Sequence, residues 1–335
     1  MIRDKKGTIL VASLWMLAIL SVLAIGIGFR MSIEARLSKY AMDKTRALFI
    51  AKAGVYKTRE FLSWDANDFD SMTECGVMLI ATEDKTAQLS KMFTNVAVGS
   101  GNYSIGYVQE GKDYPGMMDE ERKININKAS QRVLETLLGE DNKGIAAAII
   151  DWRDADDMTS PGGAEDDDYS DLGYACKNEP FSVIEELMLV KGMTPEIFDA
   201  VKEYITVYGP DDAKVNLNTA TEKVIRVIGQ STLPPISDIV MNEIASKRWG
   251  KKDEQAIGPE SETVFTDENS IKDILNLGGY ETDFGSIRNS FTTKSSYFRI
   301  ESKAALDRSG VEKRIVCVVQ RDAQKGTILI SYREY

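Results

Sequence analysis

The feature that most constrains this chain is an uncharged, apolar run near its N-terminus, residues 8–29. As an α-helix, which rises 1.5 Å per residue, the run is about 33 Å long. The hydrocarbon core of a bilayer is about 30 Å thick, so such a helix is long enough to cross it. The sequence therefore predicts a single-pass membrane protein.

Basic residues directly precede the apolar run. Arg3, Lys5 and Lys6 are offset only by Asp4, and positive charge beside a membrane helix is typical of its cytoplasmic side. We therefore expect the N-terminus in the cytoplasm and everything after Arg30 outside. A removable signal peptide is the alternative, but the run is too long for one and lacks the small-residue cleavage pattern.

The segment before the run is short, basic and ends in Lys6 and Gly7. It resembles the leader of class III prepilins, which is removed on the cytoplasmic side while the apolar helix is retained. This resemblance implies cleavage between Gly7 and Thr8, with methylation as part of the same processing. The fifth residue after that site is Ala12, where prepilins usually carry glutamate.

The helical pattern continues beyond the apolar run, over residues 30–64. Apolar residues such as Ile33, Leu37 and Tyr40 recur at steps of three to four, while the other faces are charged. This spacing predicts an amphipathic helix. Because no Gly or Pro linker separates the two parts, we expect one helix that begins in lipid and ends against a folded domain.

Composition excludes several classes of protein. The chain has no histidine, which removes the commonest general base and the usual zinc ligand. Its net charge of −11 argues against a polyanionic partner such as nucleic acid. Cys75, Cys176 and Cys317 show no CxxC spacing, and a disulfide between any two of them stays open.

The remaining chain predicts an α+β fold. Alternating residues indicate strands at 103–108 and 123–126, and again at 297–303, 313–320 and 327–332. The intervening residues are mainly helical in pattern. Since neither strand group alone makes a stable sheet, the economical interpretation is one antiparallel sheet interrupted by a helical insertion. The predicted units are a leader at 1–7, a membrane helix at 8–29, its amphipathic continuation at 30–64, a sheet core at 65–126 and 291–335, and an insertion at 127–290.

The insertion contains a weak internal repeat. Residues 123–134 align with residues 214–225, and each copy places an asparagine, Asn127 or Asn218, where we expect it to cap the next helix. Further on, Gly192 and the Thr194–Pro195 pair predict a helix, a tight turn and a second helix. This pattern resembles a helix-hairpin-helix, or SAM-like, module. Such modules often bind DNA, but the nearby residues here are mostly acidic.

An acidic segment between the two repeats has the highest density of carboxylate side chains in the chain. Two groups of carboxylates, at 151–157 and 165–171, flank a Pro-Gly-Gly turn and are opposed by Arg153 alone. Hard divalent cations bind oxygen-rich sites of this kind. A solvated acidic loop that binds nothing is the alternative.

Together these segments resemble the K-type minor pseudopilins of type II secretion systems. The resemblance is carried by the Asp151-Trp-Arg-Asp-Ala-Asp motif, by residues 163–166, by Tyr174 with Asn178, and by the turn at Gly192. It implies a pseudopilin core interrupted by a calcium-carrying helical domain, and this family is known for lacking the glutamate at the fifth mature position. By motif position the first metal candidates are Asp154, Asp156, Glu165 and Asp166, followed by Asp151, Asp157 and Asp168.

The resemblance also implies a function and a place in the cell. It predicts a structural, non-enzymatic subunit at the tip of a pseudopilus, in the bacterial inner membrane with a periplasmic C-terminal domain. The expected partners are the I- and J-type minor pseudopilins, other pseudopilins, the prepilin peptidase and the inner-membrane secretion platform. Two alternatives are a membrane-anchored DNA-binding protein of the competence type and a hydrolase that depends on the acidic loop.

Overall fold

The structure, a computed structural model, describes residues 5–65, 67–72, 85–109, 111–249, 263–277, 279–322 and 324–335. Cys75 lies outside these residues. Cys176 and Cys317 are both buried free thiols, and burial raises the pKa of each to about 12. They therefore do not pair with each other.

The described chain contains both α-helices and β-strands. The helices are α1 (Lys5–Trp64), α2 (Lys85–Phe93), α3 (Gln131–Leu138), α4 (Lys143–Arg153), α5 (Asp166–Tyr169), α6 (Pro195–Val201), α7 (Glu222–Ser231), α8 (Asp238–Trp249), α9 (Glu268–Ile274) and α10 (Glu281–Ser290). The strands are β1 (Val96–Val98), β2 (Gly101–Gln109), β3 (Lys112–Pro115), β4 (Met118–Asp119), β5 (Ile124–Asn125), β6 (Ile205–Thr206), β7 (Val215–Asn216), β8 (Phe291–Thr292), β9 (Tyr297–Leu306), β10 (Glu312–Asp322) and β11 (Gly326–Glu334).

Helix α1 is continuous, as predicted. It carries the one segment of the described chain that is long and apolar enough to cross a membrane, with a mean hydropathy of 2.5 and no part buried against the protein. Further along, the helix turns one face inward, and Ala47, Ala51 and Leu62 are fully or almost fully buried. The same helix therefore serves as an exposed apolar stem and as a core element.

An antiparallel sheet packs on the second half of α1. Its strands run in the order β1-β2-β9-β10-β11, with β3 paired to β2 and β4 paired to β9. Alternate residues of the central strands, including Ile300 and Cys317, point into the core beneath α1. Gly54 lets the helix approach closely, because a Cβ there would lie 2.5 Å from the Ser302 hydroxyl oxygen.

The chain between β4 and β9 forms a second unit with its own hydrophobic core. Apolar residues from several helices converge there, among them Leu134, Ile149, Ile225 and Ile287. The observed architecture is thus a long N-terminal helix, an antiparallel sheet and a helical insertion. This confirms the predicted α+β fold.

The internal repeat of the sequence is a structural duplication. β5 pairs with β6, and β7 pairs with β8, both as short parallel ribbons. In each copy a hydroxyl caps the helix that follows: Ser130 caps α3 and Thr221 caps α7. The prediction that Asn127 and Asn218 act as caps is therefore wrong, because a hydroxyl residue stands three positions closer to each helix.

Candidate cation site in the acidic loop

The acidic loop begins where α4 ends. The carboxylate of Asp151 is fully buried and accepts hydrogen bonds from the backbone amides of Ser160 at 3.1 Å and Ala164 at 2.8 Å. A Cβ on Gly163 would overlap this carboxylate, so only glycine fits there. Asp151 therefore folds the second acidic arm back onto the first.

Arg153 fixes the base of the loop from the other side. Its guanidinium donates hydrogen bonds to the backbone carbonyls of Ile126 and Ala129. Arg153 is thus engaged by the first repeat and forms no ion pair with Asp151. Burial lowers the pKa of Arg153 to about 10, and the nearby Asp154 partly offsets this effect.

Four buried oxygen atoms of this loop have no hydrogen-bond partner among the described residues. They are Oδ1 of Asp154, Oε1 and Oε2 of Glu165, and Oδ1 of Asn178. Glu165 as a whole is 5% exposed. Buried acceptors are normally satisfied, so these oxygens are available to bind a cation or water.

The local charge is correspondingly unfavourable for carboxylates. Burial raises the pKa of Asp154, and the carboxylates of Asp156 and Asp151 raise it further. Burial also raises the pKa of Glu165, as do Asp151, Asp154 and Asp157, although the neighbouring Cys176 thiol lowers it. A bound cation would relieve this repulsion.

The other predicted ligands already have partners. Asp157 accepts a hydrogen bond from the side-chain amide of Asn178 at 2.8 Å, and Asp156 accepts one from the backbone amide of Met158 at 2.9 Å. Hydrogen bonds of this kind leave other carboxylate lone pairs open.

Asp166 and Asp168 serve a structural purpose. Asp166 accepts a hydrogen bond from the backbone amide of Cys176 at 2.8 Å. Asp168 accepts from the amide of Glu165 and forms an ion pair with Lys191 at 2.6 Å. Both carboxylates therefore hold the loop in shape.

Asn178 was not among the predicted ligands. It is a neutral side chain outside both acidic groups, so charge density gave no signal for it. Its left-handed backbone, with φ of +48°, places it against the loop. Within the described ranges, no group of three or more His, Cys, Asp and Glu side chains is arranged to hold a metal ion. The loop oxygens that remain without a hydrogen-bond partner among the described residues are those of Asp154, Glu165 and Asn178.

An aromatic cluster lies beneath the loop. The ring of Trp152 meets Tyr169 edge-on at 5.2 Å between centroids and stacks near Phe181 at 6.5 Å. Trp152 is 3% exposed and therefore belongs to the core. The cluster gives the loop a rigid base.

The helix–turn–helix pattern at Gly192 is present in modified form. The first element is a 3₁₀ helix, Ile184–Leu189, and the second is α6, capped by Thr194. The turn's lysine, Lys191, is engaged: its backbone amide donates to the Tyr169 hydroxyl and its ammonium pairs with Asp168. This arrangement serves packing within the domain.

A continuous apolar stem, a sheet packed on its second half and an inserted helical unit with a folded acidic loop are compatible with a membrane-anchored, pilin-like subunit. Residues 116–211, which include the acidic loop, match the family described as type II secretion system (T2SS), protein K. The chain is a relative of type II secretion system protein K, which confirms the resemblance seen in the sequence.

Proteins of several bacteria that resemble this chain carry the name type II secretion system protein K. The protein of Pectobacterium carotovorum subsp. carotovorum is 34% identical over 118 residues, which are 34% of each chain. That of Klebsiella pneumoniae is 25% identical over 236 residues, or 64% of this chain and 66% of the relative. The aligned part thus spans between about one third and two thirds of these relatives.

A solved structure shows the same fold. A chain in the crystal structure of the GspK–GspI–GspJ complex from the enterotoxigenic Escherichia coli type 2 secretion system superposes with a TM-score of 0.61. The match covers 89% of this chain and 99% of that chain at 14% sequence identity.

Proposed function

We propose that this protein is a minor pseudopilin of a type II secretion system, with a structural and non-enzymatic role in the assembly that exports proteins across the outer membrane. The observation that carries the proposal is the continuity of α1, which is exposed and apolar at one end and buried under the sheet at the other. A stem of this kind allows packing against the stems of other subunits, and the similarity to protein K supports the same role.

The shape of the chain supports a position at the tip of the fibre. The helical insertion adds a second unit with its own core to the sheet, and such bulk obstructs the stacking of a further subunit above it. Ala12 at the fifth mature position lacks a carboxylate, so it offers no charge partner for the N-terminal amine of a neighbouring subunit.

The expected partners are the I- and J-type minor pseudopilins, because the related GspK was crystallised with GspI and GspJ. We expect the full-length chain, co-expressed with both partners and extracted from membranes in mild detergent, to co-purify with them. A Leu17→Lys variant places a charge in the stem. We expect this variant to lose the association. Failure of the unaltered chain to co-purify would overturn the proposal.

Processing and orientation can be tested on the same protein. The expected product of prepilin peptidase begins at Thr8, and N-terminal sequencing identifies it. Protease added to spheroplasts should digest the sheet and helical units if they lie in the periplasm. An uncut chain, or one protected from the protease, would contradict this part of the proposal.

We also propose that the acidic loop binds calcium. Asp154, Glu165 and Asn178 would hold the ion, and the ion would neutralise the carboxylates that now repel one another. Calcium at one hundred times its Kd stabilises the folded state by about 2.7 kcal/mol. We therefore expect EGTA to lower the melting temperature of the full-length protein and calcium to restore it. A melting temperature unaffected by either would contradict the site.

The DNA-binding alternative gains no support. Lys191, the basic residue of the turn, is paired with Asp168, whereas phosphate binding requires several free cations.

A further inference from the structure

A cluster of buried carboxylates lies where the helical unit joins the sheet. The chain passes between the two units at residues 119–123 and again at 292–297. Asp70, Asp119 and Glu121 lie at this junction and are 0%, 2% and 4% exposed, respectively. Neither the proposed secretion role nor the acidic loop uses these residues.

Asp119 connects the two units directly. Its Oδ2 accepts hydrogen bonds from the hydroxyls of Thr219, in the helical unit, at 2.6 Å and Ser295, at the entry to the sheet, at 2.7 Å. Its Oδ1 accepts from the backbone amide of Glu121 at 2.8 Å.

The other two carboxylates hold the returning chain. Oε1 of Glu121 accepts from the backbone amides of Ser296 at 2.5 Å and Tyr297 at 3.0 Å. Oδ2 of Asp70 accepts from the amide of Ser295 at 2.9 Å. The segment entering β9 is thus held by consecutive carboxylate contacts.

Positive charge at the cluster is scarce. Arg321 on β10 contacts Asp70 at 2.7 Å and also Asp65, at the end of α1, at 3.0 Å. No ion pair reaches Asp119 or Glu121 from any residue that the structure describes. One guanidinium therefore serves two carboxylates, and two more remain without a cation.

Most of the surrounding charged groups are engaged elsewhere: Glu120 pairs with Arg299 and Lys123, and Lys294 faces Asp68. The guanidinium of the buried Arg122 lies over the ring of Tyr107 at 6.0 Å, and its Nη1 has no hydrogen-bond partner among the described residues. Tyr297 also faces the cluster, and burial and Glu121 both raise the pKa of its phenol.

Buried like charges without cations are relieved by keeping a proton. Burial raises the pKa of Glu121 to about 8, and Asp119 and Asp70 add to this effect. Burial likewise raises the pKa of Asp119 to about 6, against the hydrogen bonds from Thr219 and Ser295.

We propose that Asp119 and Glu121 hold one proton between them that keeps the helical unit seated on the sheet, and that losing this proton loosens the junction. A carboxyl group with a raised pKa in the folded state stabilises that state fully below its unfolded pKa, near 4.5. The contribution is lost as the pH rises through the folded value. The junction is therefore a pH-sensitive latch that tightens as the pH falls from about 8.

Hydrogen–deuterium exchange of the full-length protein in detergent tests the latch. After correction for intrinsic exchange rates, protection at Ser296 and Tyr297 should fall between about pH 6 and 9, by up to about tenfold per pH unit. Amides of β10 beneath α1 should not follow this change. Glu121→Gln imitates the protonated carboxyl group and should remove the pH dependence, whereas the exposed Glu312→Gln should retain it.

An infrared band from a protonated carboxyl group gives a second readout. It should persist at neutral pH in the unaltered protein and weaken in Glu121→Gln; Asp119→Asn replaces that variant if it fails to fold. Protection that does not change with pH in the unaltered protein, or the absence of the band at neutral pH, would overturn the proposal.

Discussion

The side-chain amide of Asn127 holds the backbone of Phe181 through two hydrogen bonds, donating to its carbonyl at 2.9 Å and accepting from its amide at 2.7 Å. Asn218 does the same to Phe265, at 2.8 Å for both bonds. Each repeat also engages an arginine: Arg153 in the first and Arg248 in the second donate to carbonyls of the turn. The two halves of the helical unit thus share one construction.

Replacing these asparagines should destabilise the helical unit unequally. Asn218→Ala leaves a fully buried amide and carbonyl of Phe265 unpaired, so we expect a loss of about 2–4 kcal/mol. Asn127 is partly exposed, so water can replace part of its role and the loss should be smaller. Denaturant unfolding of the full-length protein measures both, with the exposed Asn289→Ala as control. Equal losses of stability in the two variants would contradict the prediction that the more buried asparagine contributes more.

Gly163→Ala should disturb the acidic loop. The added methyl group overlaps the carboxylate of Asp151, and a clash in a well-packed site costs about 1–3 kcal/mol. We expect a lower melting temperature and a smaller response to calcium. Gly285→Ala in α10, where a Cβ meets nothing within 4 Å, is the matched control. A variant with unaltered calcium response would show that this turn does not shape the site.

The carboxylates of the loop should differ in their importance for calcium. Asp154→Asn and Glu165→Gln each remove one negative charge from atoms without partners, so both should reduce the thermal shift caused by calcium. Asp168→Asn loses an ion pair with Lys191, so it should lower the melting temperature with and without the ion yet keep the shift. Calorimetric titration of calcium into each variant checks this order, and a full response in Glu165→Gln would exclude Glu165 as a ligand.

Glu120 should confer stability that is lost in acid. Burial alone would raise its pKa, but Lys123 and Arg299 outweigh burial and lower the pKa to about 2. A depressed pKa stabilises the folded state above the unfolded value, near 4.5, and this contribution disappears as the pH falls towards 2. The difference corresponds to about 3 kcal/mol.

Acid unfolding of Glu120→Gln checks the predicted direction of this pH dependence. The variant should be less stable than the unaltered protein at neutral pH, because Arg299 loses its buried partner, and the two should converge in acid. A difference in unfolding free energy between the two proteins that grows as the pH falls would contradict a negatively charged Glu120 in the folded state.

Much of the fold was predictable from local patterns. The spacing of apolar residues through residue 64 and the absence of a linker determined that α1 is one helix, since period and propensity act within a few turns. Alternation and turn residues likewise predicted the strands that became β2, β9, β10 and β11. The hydroxyl residues Ser130 and Thr221 are also typical helix caps, but the capping role was predicted for the nearby asparagines instead.

The site was less predictable, because ligation depends on which atoms remain unpaired after folding. Motif position placed Asp154 and Glu165 in the first rank, but it placed Asp166 beside them and Asp168 in the second rank, and these two are engaged by an amide and a lysine. It did not select Asn178 as a ligand, and the side-chain oxygen of Asn178 is buried without a hydrogen-bond partner.

The sequence by itself determined the stem, the α+β composition, the repeat and the acidic loop, because each is written in residues close together along the chain. Only the tertiary structure decided which carboxylates lack partners, and that Asp70, Asp119 and Glu121 meet at one junction. Burial and the approach of residues far apart in sequence set the energy of a charge, and neither is defined until the chain has packed.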